Sequence, residues 1–161
     1  MVFAINYYLM KHILLSISDS DKHFASAVQE YTKRMWKGLV ILDIKPVKYG
    51  ERWDIIKKET NLLISKLQKL KKKHHESVVF LLTKWWKQWS TSWLHKFLKA
   101  GKTYIYIIWG PYGMDEDKLK AYIDQTISFG MQTMPHGLAK LVLLEQVYRI
   151  GMIEQGRQYH Y

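Results

Sequence analysis

Residues 127–150 read ISFGMQTMPHGLAKLVLLEQVYRI. A short irregular segment, Phe129 to Met134, precedes the pair Pro135-His136, and that pair opens a helix. Proline suits a helix entrance because its fixed φ matches the first turn and its missing N–H has no partner to lose there. Within the helix, Leu138, Leu141, Val142, Leu143, Leu144, Val147, Tyr148 and Ile150 point in nearly all directions. A helix apolar on every side is normally buried on every side. A chain of 161 residues offers little room for that, so a subunit interface is the expected cover. Glu145 and Arg149 stand at i and i+4, where opposite charges pair. Periodicity leaves two readings open. One is a central core helix with an ion pair. The other is a helix that also closes a ligand pocket through the segment before it.

The sequence upstream alternates strand-like and helical stretches. His12–Ser18 (HILLSIS) reads as a strand, and Ser18 to Asp21 supply a turn and a helix N-cap. Phe24, Val28, Tyr31 and Met35 then recur at helical spacing. Leu39–Ile44 is a second strand, stopped by Pro46. A long basic helix runs from Trp53 to about Lys73, with Lys66, Lys69, Lys71, Lys72 and Lys73 crowding its end. Val78–Thr83 (VVFLLT) is apolar throughout, as in a sheet buried on both faces. A helix from about Ser90 to Ala100 stops at Gly101, and Tyr104–Trp109 forms a fourth strand that ends in Gly110-Pro111-Tyr112-Gly113. Asp115 caps a further helix expected to reach about Ile127. This alternation predicts an α/β domain with a largely parallel sheet. Ligands bind such sheets at the carboxyl ends of the strands. One pocket is therefore expected where three loops meet: after Leu82, at Gly110, and at Phe129–Met134.

Composition narrows the partner. The net charge is +11, which favours a polyanion, with nucleic acid ahead of an anionic membrane. Seven Trp and eleven Tyr offer rings that could stack on unpaired bases. Cysteine is absent, which excludes disulfides and Cys-ligated metal and fits a reducing cytoplasm. No apolar run is long enough to span a membrane. Residues 1–9 (MVFAINYYL) lack the basic region of a secretory signal and read as an extension or a misassigned start, leaving 10–161 as one domain. The histidines have no metal-site spacing, no Ser/His/Asp set stands out, and the 14 carboxylates form no acid/base pair. Hydrolytic and metal-dependent chemistries are thus weakly supported. Trp85, Trp86, Trp89 and Trp93, with Lys84 and Lys87 among them, read either as a hydrophobic lid or dimer contact or as a base-stacking patch, and positions 86, 89 and 93 share a face if the stretch is helical. The tail Tyr159-His160-Tyr161 offers hydrogen-bonding and proton-transfer groups on a terminal arm.

At this point the sequence resembles a known family. The pattern Pro135-His136-x-Leu138-x-Lys140-x-x-Leu143-x-Glu145-Gln146-x-Tyr148-Arg149, with Tyr159-His160 after it, is similar to the C-terminal signature of the ribosomal large-subunit pseudouridine methyltransferases, a family of the SPOUT superfamily. Ile107-Ile108-Trp109-Gly110-Pro111-Tyr112-Gly113 resembles its strand and glycine turn, Leu81-Leu82 the strand before its lid loop, and Met10-Lys11 its usual start. The resemblance implies a SPOUT-type α/β knot, with a deep C-terminal trefoil knot, in an obligate homodimer. It implies methyl transfer from S-adenosylmethionine to N3 of a pseudouridine in a large-subunit rRNA stem-loop of the assembled ribosome, without metal or membrane. Carried over by position, cofactor contacts fall on Leu82, Trp109, Gly110, Phe129, Gly130, Met131, Gln132, Thr133 and Met134. His160 and Tyr159 are placed near the target base and Arg149 beside the tail or RNA, while the basic helix end, Lys84 and Lys87 would hold phosphates. Trp109 stands where the family usually has the first of two glycines, Lys140 replaces a usual Arg, and Trp86-Lys87 replaces a Gly-Lys lid motif. A non-catalytic RNA-binding or ribosome-assembly protein of the same fold and a tRNA-directed SPOUT enzyme are the alternatives.

Overall fold

Strand β4 (Thr103–Ile108) is the centre of a five-stranded sheet in this computed structural model, which describes residues 10–19, 22–35, 38–84, 88–157 and 159. β1 (Lys11–Ile17) lies on one side of it and β3 (Ser77–Leu82) on the other. β2 (Leu39–Ile44) pairs outside β1, and β5 (Gln125–Ile127) outside β3, in the order β2-β1-β4-β3-β5. Every one of these pairings is parallel. Parallel neighbours need long crossovers, and helices supply them. These are α1 (Ala25–Arg34), α2 (Arg52–Lys73), α3 (Thr91–Phe97) and α4 (Glu116–Lys120), with α5 (His136–Glu154) following β5.

Period-two alternation divides the core into two layers. Leu14, Phe80, Leu82, Tyr104, Tyr106 and Ile108 face α1, α3 and α5. Ile13, Leu15, Ile17, Val79, Leu81, Ile105 and Ile107 face Leu63 and Leu67 of α2 and Leu119 of α4. His12 joins the first layer, 1 % exposed. It stacks on Tyr104 and Tyr106 at 5.8 and 5.9 Å, and its Nδ1 lies 3.1 Å from the Tyr106 hydroxyl.

Three expectations change. The cap placed within Ser18–Asp21 does not start α1, whose N-cap residue is Phe24 without a side-chain bond. Ser18 is instead drawn to Asp43, and Ser20 and Asp21 lie outside the described residues. α3 ends at Phe97 rather than near Ala100, because the buried Tyr104 hydroxyl takes the Lys99 N–H and donates back to the Lys99 carbonyl. The helix after Asp115 spans only five residues. Asp124 exchanges two bonds with Val79, of 3.0 and 2.8 Å, and this turns the chain into β5. The open edge of β3 thus outweighs local helix propensity, and a fifth strand replaces the expected helix.

Glu59 positions the turn after β4. Its side chain is buried, 1 % exposed, and Oε1 accepts the Val47 N–H at 2.9 Å. Oε2 has no partner among the described residues. Burial pushes this carboxyl above the usual range, and the Val47 bond pulls it back. A Cβ at Gly110 would sit 2.2 Å from Glu59 Oε2 and 3.2 Å from Ile17 Cγ2. Glycine is required there by close packing rather than by its φ.

Two predictions follow from this packing. Gly110→Ala should cost about 1–3 kcal/mol by overpacking, measured by chemical denaturation. The cost should fall when Glu59→Ala is combined with it, since the two sites share one contact. The second concerns acid. Burial lowers the His12 pKa to about 3, so the unfolded chain binds a proton below about pH 6.5 that the fold refuses. Stability should therefore decline as pH falls from 6.5 toward 3, at up to roughly 1.4 kcal/mol per unit. Denaturation midpoints of His12→Phe across that range should be flatter.

Candidate active site

The carboxyl ends of β3, β4 and β5 open onto one cavity of about 490 Å³. Its wall comes from Leu82 to Lys84 after β3, from Ile108, Trp109 and Pro111 after β4, and from Ile127, the loop after it and the first turn of α5. The three loops singled out in the sequence therefore meet. Of the residues named for the cofactor, Leu82, Trp109, Phe129, Gly130, Gln132, Thr133 and Met134 line the cavity. Gly110 does not line it; it lies behind, against Glu59. Met131 is also absent from the wall, 73 % exposed. Gly130 has φ +130°, a conformation costly for any side chain. Ser128 Oγ holds that bend, accepting from the Gly130 N–H at 3.2 Å and donating to its carbonyl at 3.1 Å. Trp109 is half-buried and packs on the α2–α4 layer while forming part of the wall. The cavity that remains is within the size range of small-molecule sites.

The start of α5 carries the charge. Lys140 is buried and its Nζ donates to Asp43 Oδ1 at 2.7 Å and to Ser18 Oγ at 3.4 Å. Ser16 Oγ also donates to Asp43. His136, one turn earlier, lines the cavity. Burial first, and then the Lys140 charge, hold its imidazole below the usual range, so the ring is neutral near pH 7.

The proposed catalytic group lies elsewhere in the chain. Arg149 bonds Glu145 Oε1 through Nε at 2.9 Å and Nη2 at 2.7 Å. Its Nη1 donates to the Tyr159 carbonyl at 3.0 Å, and its guanidinium lies 4.8 Å from the Tyr159 ring. Tyr148 meets the same ring edge-on at 5.6 Å. Arg149 thus folds the tail back onto α5, roughly 20 Å along the axis from His136 at about 1.5 Å per residue. His160 lies outside the described residues, as do Trp85, Trp86 and Lys87. Trp89 precedes α3 and packs on Phe80 and Phe97, so positions 89 and 93 do not share a helix face. Lys84 lies on the cavity wall. The lysine-rich end of α2 lies just before β3 begins, at the opposite edge of the sheet from the cavity.

Sequence reading missed Asp43, Glu59 and the placement of His136. Asp43 was visible only as a polar break in LVILDI. Glu59 carried no signal, because a carboxylate in a basic helix normally faces water. Among the described residues, no three His, Asp or Glu side chains are grouped to hold a metal ion, and no helix is long and apolar enough to cross a membrane.

Comparison with known proteins accords with this geometry. The family model described as Predicted SPOUT methyltransferase matches residues 10–160. The chain is 33 % identical over 147 residues to the Ribosomal RNA large subunit methyltransferase H of Streptococcus agalactiae, covering 87 % of this chain and 92 % of the relative. The protein of the same name from Thermotoga maritima is 30 % identical over 149 residues, covering 90 % and 91 %. A shorter match, to the one from Leuconostoc citreum, reaches 49 % identity over 63 residues, 39 % of each chain. A crystal structure from Bacillus anthracis, described as that of a candidate RNA methyltransferase, superposes with a TM-score of 0.57 over 91 % of this chain and 97 % of its own. At 13 % identity that likeness speaks to the fold alone. The matched span and the full-length relatives together show that this chain belongs to the SPOUT methyltransferase family.

Proposed function

We propose that the chain transfers a methyl group from S-adenosylmethionine to N3 of a pseudouridine in large-subunit rRNA. The observation that carries this reading is the cavity closed by three loops at the carboxyl ends of β3, β4 and β5, in a chain of a methyltransferase family. The cavity fits the cofactor on its own terms. Apolar walls from Leu82, Ile108, Ile127 and Phe129 suit an adenine ring, and Gln132 and Thr133 on the same wall supply polar groups. When bound, the cofactor supplies an activated methyl group on a sulfonium, so the protein needs no metal and no covalent nucleophile. The chain's own task is alignment: the base nitrogen must stand in line with the departing sulfur, and the imide proton must leave. The positive charge of the chain supports an rRNA partner. The natural setting of this reading is the assembled ribosome in the cytoplasm.

The reading includes a homodimer. In one chain Arg149 and Tyr159 stand far from the cavity, so they serve it from a second copy. His160 follows Tyr159 and is proposed to reach the target base on the same arm, with the knot tying α5 to the cavity loops.

Titration calorimetry should show saturable S-adenosylmethionine binding, and purified ribosomes lacking the modification should accept one methyl per target. No binding at millimolar cofactor would favour the non-catalytic alternative. Mapping the methylated nucleotide in RNA from a deletion strain separates rRNA from tRNA as substrate. The dimer has its own readout. His160→Ala and the cavity-filling Ala139→Trp should each be inactive alone, yet regain activity when their subunits are mixed. If the mixture stays inactive, the arm does not act across subunits.

A further inference from the structure

A second cavity, of about 620 Å³, adjoins the first and shares Pro111, Pro135 and His136 with it. Its walls are the start of α5, the turn after β1, the end of β2 and the face of α1 that carries Ala25, Val28 and Gln29. Ile17, Phe24, Val28 and Pro46 make it apolar. Three charged side chains line it, Asp19, Asp43 and Lys140. The Lys140 side chain is only 10 % exposed. An ammonium has three N–H donors. Two go to Asp43 and Ser18, and the third has no partner among the described residues. Keeping a buried ammonium is costly unless each donor is used.

We propose that this second cavity receives the target base, with the free Lys140 N–H bonding a carbonyl oxygen of its imide ring. The proposal rests on the methyltransferase reading and deepens it. Four features select this guest. Asp43 pairs with Lys140 and Asp19 adds a second carboxylate to the wall, so the cavity suits an uncharged planar group rather than a phosphate. The apolar walls match the faces of a flat ring. The shared residues set the base beside the first cavity, where the methyl donor is proposed to lie. Removing the imide proton leaves negative charge on nitrogen and on the flanking carbonyl oxygens, where a fixed cation is most effective. The reaction then balances simply. The methyl–sulfur bond breaks, the carbon–nitrogen bond forms, the sulfur keeps the electron pair as a neutral thioether, and the imide proton leaves to solvent.

The experiment uses the full chain, S-adenosylmethionine and unmodified ribosomes. The wild type must first bind cofactor and transfer methyl; if it does neither, the functional reading fails before this one is tested. Given an active wild type, Lys140→Met should bind cofactor within about threefold of wild type yet transfer methyl about 100-fold more slowly at neutral pH. Lys140→Arg should retain most of the rate. Alkaline pH should partly restore Lys140→Met, because the imide then ionises without help; a purely structural lysine would not show this. The groups facing Lys140, namely Ser18 and Asp19 after β1, Asp43 on β2, Gln29 on α1 and His136 on α5, are unchanged in that variant. A wild-type rate in Lys140→Met, or parallel loss of cofactor binding in a folded protein, overturns the proposal. Should Lys140→Met not fold, Gln29→Trp fills the same cavity from an exposed position on α1. It should block transfer while cofactor binding persists, and a wild-type rate there overturns the proposal equally.

Discussion

Burial of β4 on both faces is the constraint from which the rest of the molecule follows. Tyr104, Tyr106 and Ile108 need cover on one side, and Ile105 and Ile107 on the other. A parallel sheet cannot leave one face to water in the way an antiparallel sheet can. Helices must therefore lie on both sides, and every strand must point the same way. That common direction gathers the loops after β3, β4 and β5 at one edge. The cavity lined by these loops is a consequence of that edge, made before any residue is chosen for chemistry.

Helix α5 converts this edge into a site. None of its residues is exposed, although its apolar residues are spread around the axis. Its inner side fills the layer that holds Leu143, Leu144, Val147 and Ile150. Its first two turns form part of both cavities and carry His136 and Lys140. Its last turns hold Arg149 and, through Arg149, the Tyr159 arm. One rigid helix therefore presents two sets of polar groups that its own length keeps apart. In the proposed homodimer, a second subunit brings them together.

Much of this was legible along the chain. The strand stretches β1 to β4 are apolar enough to be placed within a residue or two, and the Pro135-His136 start of α5 follows from proline's fixed φ. The segment before it was recognisable as a loop, and its position after a strand located the pocket. The errors have particular causes. Gln125–Ile127 looked helical because three residues carry too little pattern to resist their neighbours. The tryptophans at 89 and 93 looked like one face because helical spacing was assumed for a stretch that becomes helical only at Thr91.

The sequence by itself determined the fold class, the order of strands and helices along the chain, the loops that meet and the family. All of these depend on local periodicity or on a motif read in order. The tertiary structure alone decided that Lys140 pairs with Asp43, that Glu59 lies under Gly110, that β5 exists and that the tail folds back on α5. Lys140 and Asp43 stand 97 positions apart, so no local pattern links them. Their pairing follows from burial, which makes a lone charge costly and leaves each group to find its partner in space.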